Sequence, residues 1–242
     1  MSDGDPQIEF APKANPNASL GVFDTMLVLD GRPLECPCHL ARLATSLHEL
    51  YGQTLPGSLH ERIVSAAEGH ALARLRVDVT PADVDGEIRI EPFDPALVLA
   101  EQECELATVA VAGGLGAHKL ADRAWLEEIE AAAGDGVRPL LVAPTGALLE
   151  TTRANVFLLR GGVIATPPLD GSILPGVTRA VLLDRARRAK IAAHELPLTL
   201  DDLRDADAVL LTSALRLFEC ARVRDGRDSA ELLARLRAEL AP

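Results

Sequence analysis

The chain has 242 residues, enough for one large domain or two smaller ones, and 48% of them are hydrophobic, which supplies a sizeable core. The net charge of −12 argues against a nucleic-acid or membrane-surface partner, although a site within the protein can still be locally basic. Aromatic residues make up only 3%, which leaves little for base stacking.

The four cysteines do not form a disulfide framework, since Cys36 and Cys38 are too close in sequence to pair comfortably. The motif CPCH at 36–39 has no second ligand pair downstream, so we expect a loop before a helix rather than a metal site. No apolar run is long enough to cross a bilayer, and the N-terminus lacks a basic-then-apolar signal pattern. We therefore expect a cytoplasmic protein without a membrane partner.

The first 112 residues predict an α+β half with an antiparallel sheet. Alternating apolar and polar residues indicate strands, and leucines spaced three or four apart indicate helices. The predicted elements are, in chain order, an irregular segment at 1–19, two strands joined by a DGRP turn within 20–35, a helix over His39–Leu50 ended by Gly52, a helix over 58–73, a hairpin that turns at DVDG within 73–92, and a strand at 105–114.

The uncharged run AGGLGA near 112–117 predicts a domain boundary. The sequence then divides into an N-terminal α+β domain at 1–112, an interdomain linker at 113–117 and a C-terminal α/β domain at 118–242. The later predicted elements are a helix over 120–133 with Leu126 and Ile129 inward, strands within 138–168 broken by PTG and RGG turns, a helix after the LPG turn within 174–190, a buried strand at 207–213, an edge strand and turn at 221–226, and an amphipathic helix over 229–240.

Lys119 is one of only three lysines in a sequence whose other cationic residues are arginines. It follows an apolar strand and an uncharged linker, so its amine is a candidate for partial desolvation. Desolvation lowers the pKa of a lysine and makes it a candidate for Schiff-base chemistry. A lone lysine is more often a solvated side chain, and position alone leaves both interpretations open.

Two further features are candidates for chemistry. The turn LPGVTR at 174–179 opens a helix, whose first backbone N–H groups and dipole form an anion site. An ordinary helix start, capped by Thr178, explains the same residues. Glu150 lies after an apolar strand, where a carboxylate is either exposed at the strand end or buried with a cationic partner.

Together these motifs resemble the fold-type IV pyridoxal-phosphate enzymes, the family of branched-chain and D-amino-acid aminotransferases and 4-amino-4-deoxychorismate lyase. The resemblance covers residues 20–226 in the family's order. It implies a two-domain α+β and α/β fold like that of D-amino-acid aminotransferase, with the cofactor between the domains. The motifs are GVFDTMLVLDGRP, HLARL, HKLADR, LLETTRANVFLLRGG, PPLDGSILPGVTR and LTSALR.

The resemblance implies that the cofactor is pyridoxal 5′-phosphate. Lys119 matches the lysine that forms the Schiff base and then shuttles protons, and Glu150 matches the carboxylate that pairs with the pyridinium nitrogen. Arg42, which alone would be read as a solvated helix residue, matches an arginine that contacts the phosphate. Asn155 matches a structural residue that holds the strand turn. The other implied phosphate contacts are Val177, Thr178, Thr212 and Ser213.

The residues after Lys119 favour the lyase branch of the family. The aminotransferases often place a tyrosine five residues after this lysine, where the chain has Ala124, and Arg123 fits the lyase-like pattern K-x-x-x-R. A guanidinium here suits a small anionic, carboxylate-bearing substrate. An ion pair of Arg123 with an acidic residue nearby on its own helix is an equal alternative.

The function predicted from this resemblance is a lyase that releases pyruvate from 4-amino-4-deoxychorismate to give 4-aminobenzoate, a folate precursor. The alternative is an aminotransferase that acts on branched-chain or D-amino acids with a 2-oxo acid acceptor. A non-catalytic binding or assembly subunit is disfavoured, because Lys119, Glu150 and the phosphate motifs occur together. Thr25 is a weaker candidate for proton transfer, since a threonine in a strand most often serves packing.

The resemblance also implies partners. The family usually forms homodimers in which a partner loop closes the active site, so we expect a homodimer. An aminodeoxychorismate synthase, fused or separate, is expected to supply the substrate. The abbreviated N-terminal segment, with Asp24 where the family more usually has glutamate, leaves the substrate specificity open.

Overall fold

The computed structural model describes residues 7–8, 16–99, 103–223 and 227–240. The chain forms two compact units, which we name after the acidic or basic residue of interest in each. The lysine unit comprises Asn15–Val98 and Ala117–Arg123, and the glutamate unit comprises Met1–Ala14, Leu99–Gly116 and Ala124–Pro242. A short segment with Lys119 thus belongs to the same unit as the first long strand. The domain bounds inferred from the sequence, each a single stretch of chain, stay a prediction.

Thirteen strands and six α-helices lie within the described residues. The strands are β1 (Gln7–Ile8), β2 (Val22–Leu29), β3 (Arg32–Pro33), β4 (Leu72–Thr80), β5 (Asp83–Pro92), β6 (Glu105–Ala110), β7 (Val137–Val142), β8 (Leu148–Thr151), β9 (Asn155–Arg160), β10 (Val163–Thr166), β11 (Ala193–Glu195), β12 (Ala208–Ser213) and β13 (Leu217–Val223). The helices are α1 (Cys36–Tyr51), α2 (Leu59–Ala67), α3 (Ala124–Ala133), α4 (Val177–Arg188), α5 (Leu200–Asp205) and α6 (Arg227–Leu240).

The lysine unit is a four-stranded antiparallel sheet covered on one face by α1 and α2. The strand order is β3-β2-β4-β5. Every second residue of β4 is buried in the core under the helices, because successive side chains of a strand point to opposite faces. The residues between them, which include Arg74 and Arg76, lie on the outer face. The core residues of β4 are Ala73, Leu75, Val77 and Val79.

The predicted DGRP turn is confirmed, since Asp30 and Gly31 both have positive φ and join β2 to β3. The predicted first helix is confirmed and ends at Gly52, whose φ is +66°. Its start was wrong, because the helix begins at Cys36, so CPCH opens the helix instead of preceding it.

Two further details of this half were wrong. The second helix ends at Ala67, because Leu72 already begins β4 and pairs with β2. The hairpin is confirmed, but its turn is Pro81–Ala82, since Thr80 pairs with Asp83. The DVDG segment instead lies within β5, where strand pairing outweighs the turn tendency of its residues.

The glutamate unit contains a sheet of nine strands among the described residues. Its order is β1-β6-β7-β8-β9-β10-β11, and β12 pairs with both β9 and β13. Because the side chains of β9 alternate, Phe157 and Leu159 join a core with α4 and α6, whereas Val156 and Leu158 join a second core that includes Leu203 of α5. A third core packs Ile129 of α3 against β6 and β7.

Most predicted elements of this half are confirmed, including the strands on both sides of the PTG and RGG turns, the buried strand β12 and the helix over 229–240. Helix α3 begins at Ala124, later than predicted, because the preceding residues pair with β2. Strand β11 and helix α5 were not predicted. The predicted turn after β13, at 224–226, and most of the irregular segment 1–19 lie outside the described residues.

The predicted combination of α+β and α/β structure is confirmed, since helices accompany both the antiparallel sheet of the lysine unit and the mixed sheet of the glutamate unit. Across the part of the chain that the structure describes, none of the helices has the length and apolar character needed to cross a membrane.

Candidate active site

The segment that carries Lys119 is held against an edge of β2. Strand β4 pairs along the whole of one edge of β2, whereas β3 covers only the far end of the other edge. Residues 119–121, which we call the lysine segment, lie along the part of that second edge that β3 leaves uncovered. The Phe23 N–H donates to the Lys119 carbonyl at 3.0 Å, and the Ala121 N–H donates to the Gly21 carbonyl at 2.9 Å. The backbone of Lys119 is therefore fixed by the central part of the sheet.

Three cations surround the ring of Phe23, which is almost fully buried. The Lys119 Nζ lies 4.9 Å from the ring centroid. The guanidinium carbon of Arg76 lies 3.8 Å from the same centroid, and that of Arg123 lies 5.9 Å from it. The face of an aromatic ring attracts cations, so Phe23 gathers these groups on one side of β2.

Burial lowers the pKa of the Lys119 amine from 10.5 to about 7. The positive charges of Arg42, Arg123 and Arg76 act in the same direction, and the negative charge of Asp24 opposes them. About half of such amines are neutral near pH 7. A neutral amine is the nucleophilic form, so this lysine is prepared for reaction with a carbonyl group.

Asp24 lies at the centre of a buried ionic cluster next to this lysine, with only 1% of its surface exposed. Arg42 donates from Nε to Oδ2 at 3.0 Å and from Nη2 to Oδ1 at 2.7 Å. The His39 Nδ1 lies 2.8 Å from Oδ1, and the Thr25 N–H donates to Oδ1 at 2.7 Å. Burial acts to raise the pKa of Asp24, but Arg42 and His39 hold it well below its usual range.

The predicted residues of this unit are thus close neighbours. Arg42 is fixed by Asp24, and Arg123 shares the Phe23 ring with Lys119. Thr25 is buried and lies two residues from Phe23, so its side chain is on the same face of β2. The roles in binding and catalysis that the sequence suggested for these residues stay predictions.

The glutamate unit fixes Glu150 by hydrogen bonds from two directions. Glu150 is buried on β8 and pairs in register with Asn155 of β9. The Asn155 amide donates to Oε2 at 3.1 Å and to the Leu174 carbonyl at 2.9 Å. The Leu174 N–H donates to Oε1 at 2.8 Å. The carboxylate is therefore tied to the turn that precedes α4.

That turn requires a glycine at its end. A Cβ on Gly176 would lie 1.9 Å from the Asn155 Oδ1, closer than any real contact. Gly176 is also the N-cap of α4, so Val177 and Thr178 are the first helical residues. Their N–H groups have no acceptor within the helix and point out of its positive end. The predicted anion site therefore lies at the first turn of a helix. Asn155, which donates to Glu150, also holds the turn before this helix.

Thr212 completes this group of residues. It pairs in register with Asn155 across β12 and β9. Its Oγ1 is buried, and among the described residues it has no hydrogen-bond partner. The neighbouring Ser213 Oγ accepts a hydrogen bond from the Arg216 N–H at 3.3 Å. A buried hydroxyl without a partner is costly in a native protein and is often matched by a bound group.

Sequence reasoning missed the roles of Asp24 and His39 in the buried ionic cluster. A signal was present, because Asp24 is a charged residue inside the apolar strand VFDTMLVL. A carboxylate is buried in such a strand only when partners compensate it. The outward-facing arginines of β4 were also missed, since alternation was used only to identify the hairpin.

Comparison with known proteins places this arrangement among characterised folds. The model of a family described as "Amino-transferase class IV" matches residues 21–224. Among curated proteins, a "Putative branched-chain-amino-acid aminotransferase" of Methanocaldococcus jannaschii is 35% identical over 102 residues. That segment covers 40% of this chain and 35% of the relative, so the chain spans about a third of that protein's length.

Solved structures match over almost the whole chain. A fold IV transaminase, CpuTA1 from Curtobacterium pusillum, has a TM-score of 0.78 at 23% identity, covering 96% of this chain and 91% of that one. A "Putative 4-amino-4-deoxychorismate lyase" from Legionella pneumophila has a TM-score of 0.72 at 20% identity, covering 97% and 99%. At these identities, the likeness concerns the fold.

Proposed function

The chain belongs to the amino-transferase class IV family, whose members depend on pyridoxal phosphate, and within it we propose a lyase that releases pyruvate from 4-amino-4-deoxychorismate to give 4-aminobenzoate. The protein is in either case an enzyme of the lyase or aminotransferase type. The proposal concerns the reaction and substrate.

Three observations support a fit between the residues present and pyridoxal phosphate. Lys119 carries an amine whose pKa is lowered to about 7, which suits a covalent bond to an aldehyde. Glu150 is a buried carboxylate in a fixed orientation. The start of α4 offers N–H groups to a phosphate, and Thr212 offers a hydroxyl that has no partner among the described residues.

Each residue would hold a different part of the cofactor. Lys119 would bind the aldehyde carbon, and Glu150 would keep the ring nitrogen protonated. Arg42, Val177, Thr178 and the Thr212–Ser213 pair would bind the phosphate. When bound, the cofactor supplies an electron sink that stabilises negative charge at the carbon next to the substrate amine.

Lys119 is the proposed base of the reaction. With a pKa near 7, its amine takes the proton from the ring carbon that bears the substrate amine. The electron pair left behind forms a ring double bond as the neighbouring carbon–oxygen bond breaks. The ring becomes aromatic, and enolpyruvate leaves and gains a proton at its methylene carbon to give pyruvate. Thr25 is a candidate to relay one of these protons.

The observation that carries the proposal is the position of Arg123. Its guanidinium and the Lys119 amine face the same Phe23 ring, at 5.9 and 4.9 Å from the centroid. A carboxylate on a substrate bound at Lys119 would therefore lie near the Arg123 guanidinium. Ala124 follows, where aminotransferases of this family often carry a tyrosine.

The test is to incubate the protein and pyridoxal phosphate with 4-amino-4-deoxychorismate and no amino acceptor. We expect equal amounts of pyruvate and 4-aminobenzoate, and neither with Lys119→Ala. Arg123→Ala should raise the KM for this substrate, whereas Arg32→Ala, a change at an exposed arginine of β3, should not. The absence of both products with wild-type protein would overturn the proposal.

The second candidate is an aminotransferase, which the identity with the Methanocaldococcus jannaschii relative favours. It predicts that branched-chain or D-amino acids convert the cofactor to its amine form, and that a 2-oxo acid restores it. The acceptor requirement separates the two reactions, because the lyase needs none.

The predicted homodimer and the supply of substrate by an aminodeoxychorismate synthase remain part of this proposal. The family resemblance supports both. Light scattering of the purified protein tests the dimer, and coupling to a purified synthase tests the supply.

A further inference from the structure

One face of α1 carries a row of polar residues three or four positions apart, which is the spacing of neighbours on a helix surface. The row consists of His39, Arg42, Ser46 and Glu49. Its first two residues bind the Asp24 carboxylate, and its last two contact His118, the residue that directly precedes Lys119. A single helix therefore holds both the ionic cluster next to the lysine and the residue before it.

The ring of His118 is held mainly by Ser46. The His118 Nδ1 lies 3.1 Å from the Ser46 Oγ, which is a hydrogen bond for either tautomer, because a hydroxyl can both donate and accept. Ser46 is only 3% exposed, and its neighbour Leu47 is packed in the core, so the hydroxyl has a fixed position. The His118 Nε2 lies 3.6 Å from the Glu49 carboxylate, but Glu49 is 56% exposed and therefore holds the ring only weakly.

The contact of His118 complements those that β2 makes with the lysine segment. Strand β2 binds the Lys119 carbonyl and the Ala121 N–H, which both lie on the carboxyl side of the Lys119 Cα. The His118 ring adds a contact on the amino side of the same Cα. Contacts on both sides of a residue restrict its backbone dihedral angles, and these limit the rotamers of its side chain. The position of the Lys119 amine therefore depends on His118 as well as on β2.

We propose that His118 is a positioning residue for Lys119, which it holds in place through its hydrogen bond to Ser46. In this role the imidazole keeps the Lys119 amine in the place from which it attacks a carbonyl group. An error of about 1 Å in the place of a reacting group can lower a rate by about 100-fold, so one ordering contact can matter for the reaction. This inference rests on the proposed chemistry of Lys119, and it adds a residue to those named above for the cofactor and substrate.

The first test measures amide hydrogen exchange in the cofactor-free protein. The Phe23 and Ala121 N–H groups join the lysine segment to β2, so their exchange reports how often that segment opens. We expect His118→Ala to speed their exchange by about fivefold, the effect of losing one hydrogen bond. The Leu75 amide, in the interior of β4, should keep its exchange rate. Unchanged exchange of both Phe23 and Ala121 in the folded variant would overturn the proposal.

The second test follows by absorbance the rate at which excess pyridoxal phosphate forms the Schiff base with Lys119. We expect His118→Ala to lower this rate by about tenfold, and His118→Asn, whose side-chain amide can still bind Ser46, to restore most of it. Ser46→Ala should slow the reaction similarly, and both changes together should be no worse than one, because they remove the same contact. An asparagine variant no faster than the alanine variant, or additive effects of the two changes, would contradict the role of this hydrogen bond.

The control and the readouts keep this inference separate from the proposed reaction. His60→Ala, at an exposed histidine of α2, should leave both the exchange and the Schiff-base rate unchanged, and circular dichroism checks that each variant is folded. Neither measurement uses the substrate. If the wild type releases no pyruvate while both effects of His118→Ala appear, the lyase reaction is wrong and the positioning role stands. If His118→Ala forms the Schiff base at the wild-type rate, the positioning role is wrong, whatever the reaction.

Discussion

The buried carboxylates of Asp24 and Glu150, one in each unit, are held by different kinds of donor. In the lysine unit, Asp24 is bound by the charged side chain of Arg42 and by His39, and it lies close enough to Lys119 to affect the pKa of its amine. In the glutamate unit, Glu150 receives hydrogen bonds from a backbone N–H and from a neutral amide, that of Asn155. The charges around Asp24 adjust the pKa of the Lys119 amine, whereas the hydrogen bonds to Glu150 fix the position of its carboxylate.

This difference suits the two tasks that we propose for Lys119 and Glu150. A reactive amine needs its protonation adjusted, and nearby charges acting through a low dielectric do that efficiently. A carboxylate that holds a protonated ring needs an exact direction, which hydrogen bonds from rigid strands supply. We call the contacts around Asp24 the charge network and those around Glu150 and Asn155 the positional network. The substitutions that follow break one or the other, and we expect different effects from each.

The largest effect is expected from Lys119→Ala. Without the amine there is neither a covalent site for the cofactor nor a base, so we expect activity to fall by at least about 1,000-fold. Steady-state assays of product release measure the loss. Lys190→Ala, an exposed residue just beyond the end of α4, is the matched control and should keep activity. Comparable activity in both variants would contradict the assignment.

Asp24→Asn breaks the charge network. The cluster would lose the carboxylate at its centre, and breaking a buried ion pair on one side costs about 3–5 kcal/mol. Urea denaturation should show a loss in the free energy of unfolding of this order. The same change at Asp30, in the exposed turn between β2 and β3, should stay within about 0.5 kcal/mol. A loss below about 1 kcal/mol at Asp24 would show that the cluster is not compensated as described.

Gly176→Ala breaks the positional network. The new Cβ meets the Asn155 Oδ1 at 1.9 Å, so Asn155 must leave its place between Glu150 and Leu174. We expect a stability loss of about 1–3 kcal/mol, together with weaker cofactor binding. Gly57→Ala is the control, because a Cβ there meets nothing within 4 Å. Equal stabilities of the two variants would contradict the packing of the turn.

Thr212→Val separates binding from stability. The hydroxyl has no partner among the described residues, so its removal should leave stability unchanged or slightly higher while cofactor affinity falls by about fivefold or more. Thr166→Val removes a buried hydroxyl that donates to the Val156 carbonyl at 2.7 Å and should cost about 1 kcal/mol. Thermal denaturation and cofactor titration measure both. A stability loss at Thr212 with unchanged affinity would remove it from the site.

The smallest expected effect is a change of stability with pH. The pKa of Lys119 is about 7 in the folded protein and 10.5 when unperturbed, so between these values the unfolded chain binds more protons. Stability should therefore rise with pH across this window through Lys119, and Lys119→Met should flatten that rise. In the cofactor-free protein, heteronuclear NMR of lysines labelled at Nζ should show the Lys119 resonance titrating near 7. A Lys119 resonance that titrates near 10.5 would contradict the lowered pKa.

Much of this organisation was predictable from the sequence, because it depends on local patterns. The strand and turn of β2 and β3, the leucine spacing of α1 and the Pro-Gly start of α4 each follow from residues near in sequence. The hairpin turn was misplaced because Asp83–Gly86 carries stronger turn residues than Pro81–Ala82, while the pairing of β4 with β5 decides the register.

What the sequence left out depends on register and packing between distant elements. Asn155 of β9 pairs with Glu150 of β8 on one side and with Thr212 of β12 on the other, and no local pattern specifies that match. The same holds for Phe23, whose ring gathers cations from β4 and from the lysine segment. Motif order identified the residues that matter, and strand pairing determines which of them are neighbours.

The most direct test of the account is to identify the lysine that holds the cofactor. The protein is saturated with pyridoxal phosphate, reduced with borohydride, digested and analysed by mass spectrometry. With only three lysines in the sequence, the result is unambiguous. We predict the reduced cofactor on the peptide that contains Lys119 and on no other. Attachment at Lys13 or Lys190, or no attachment at all, would contradict the central claim.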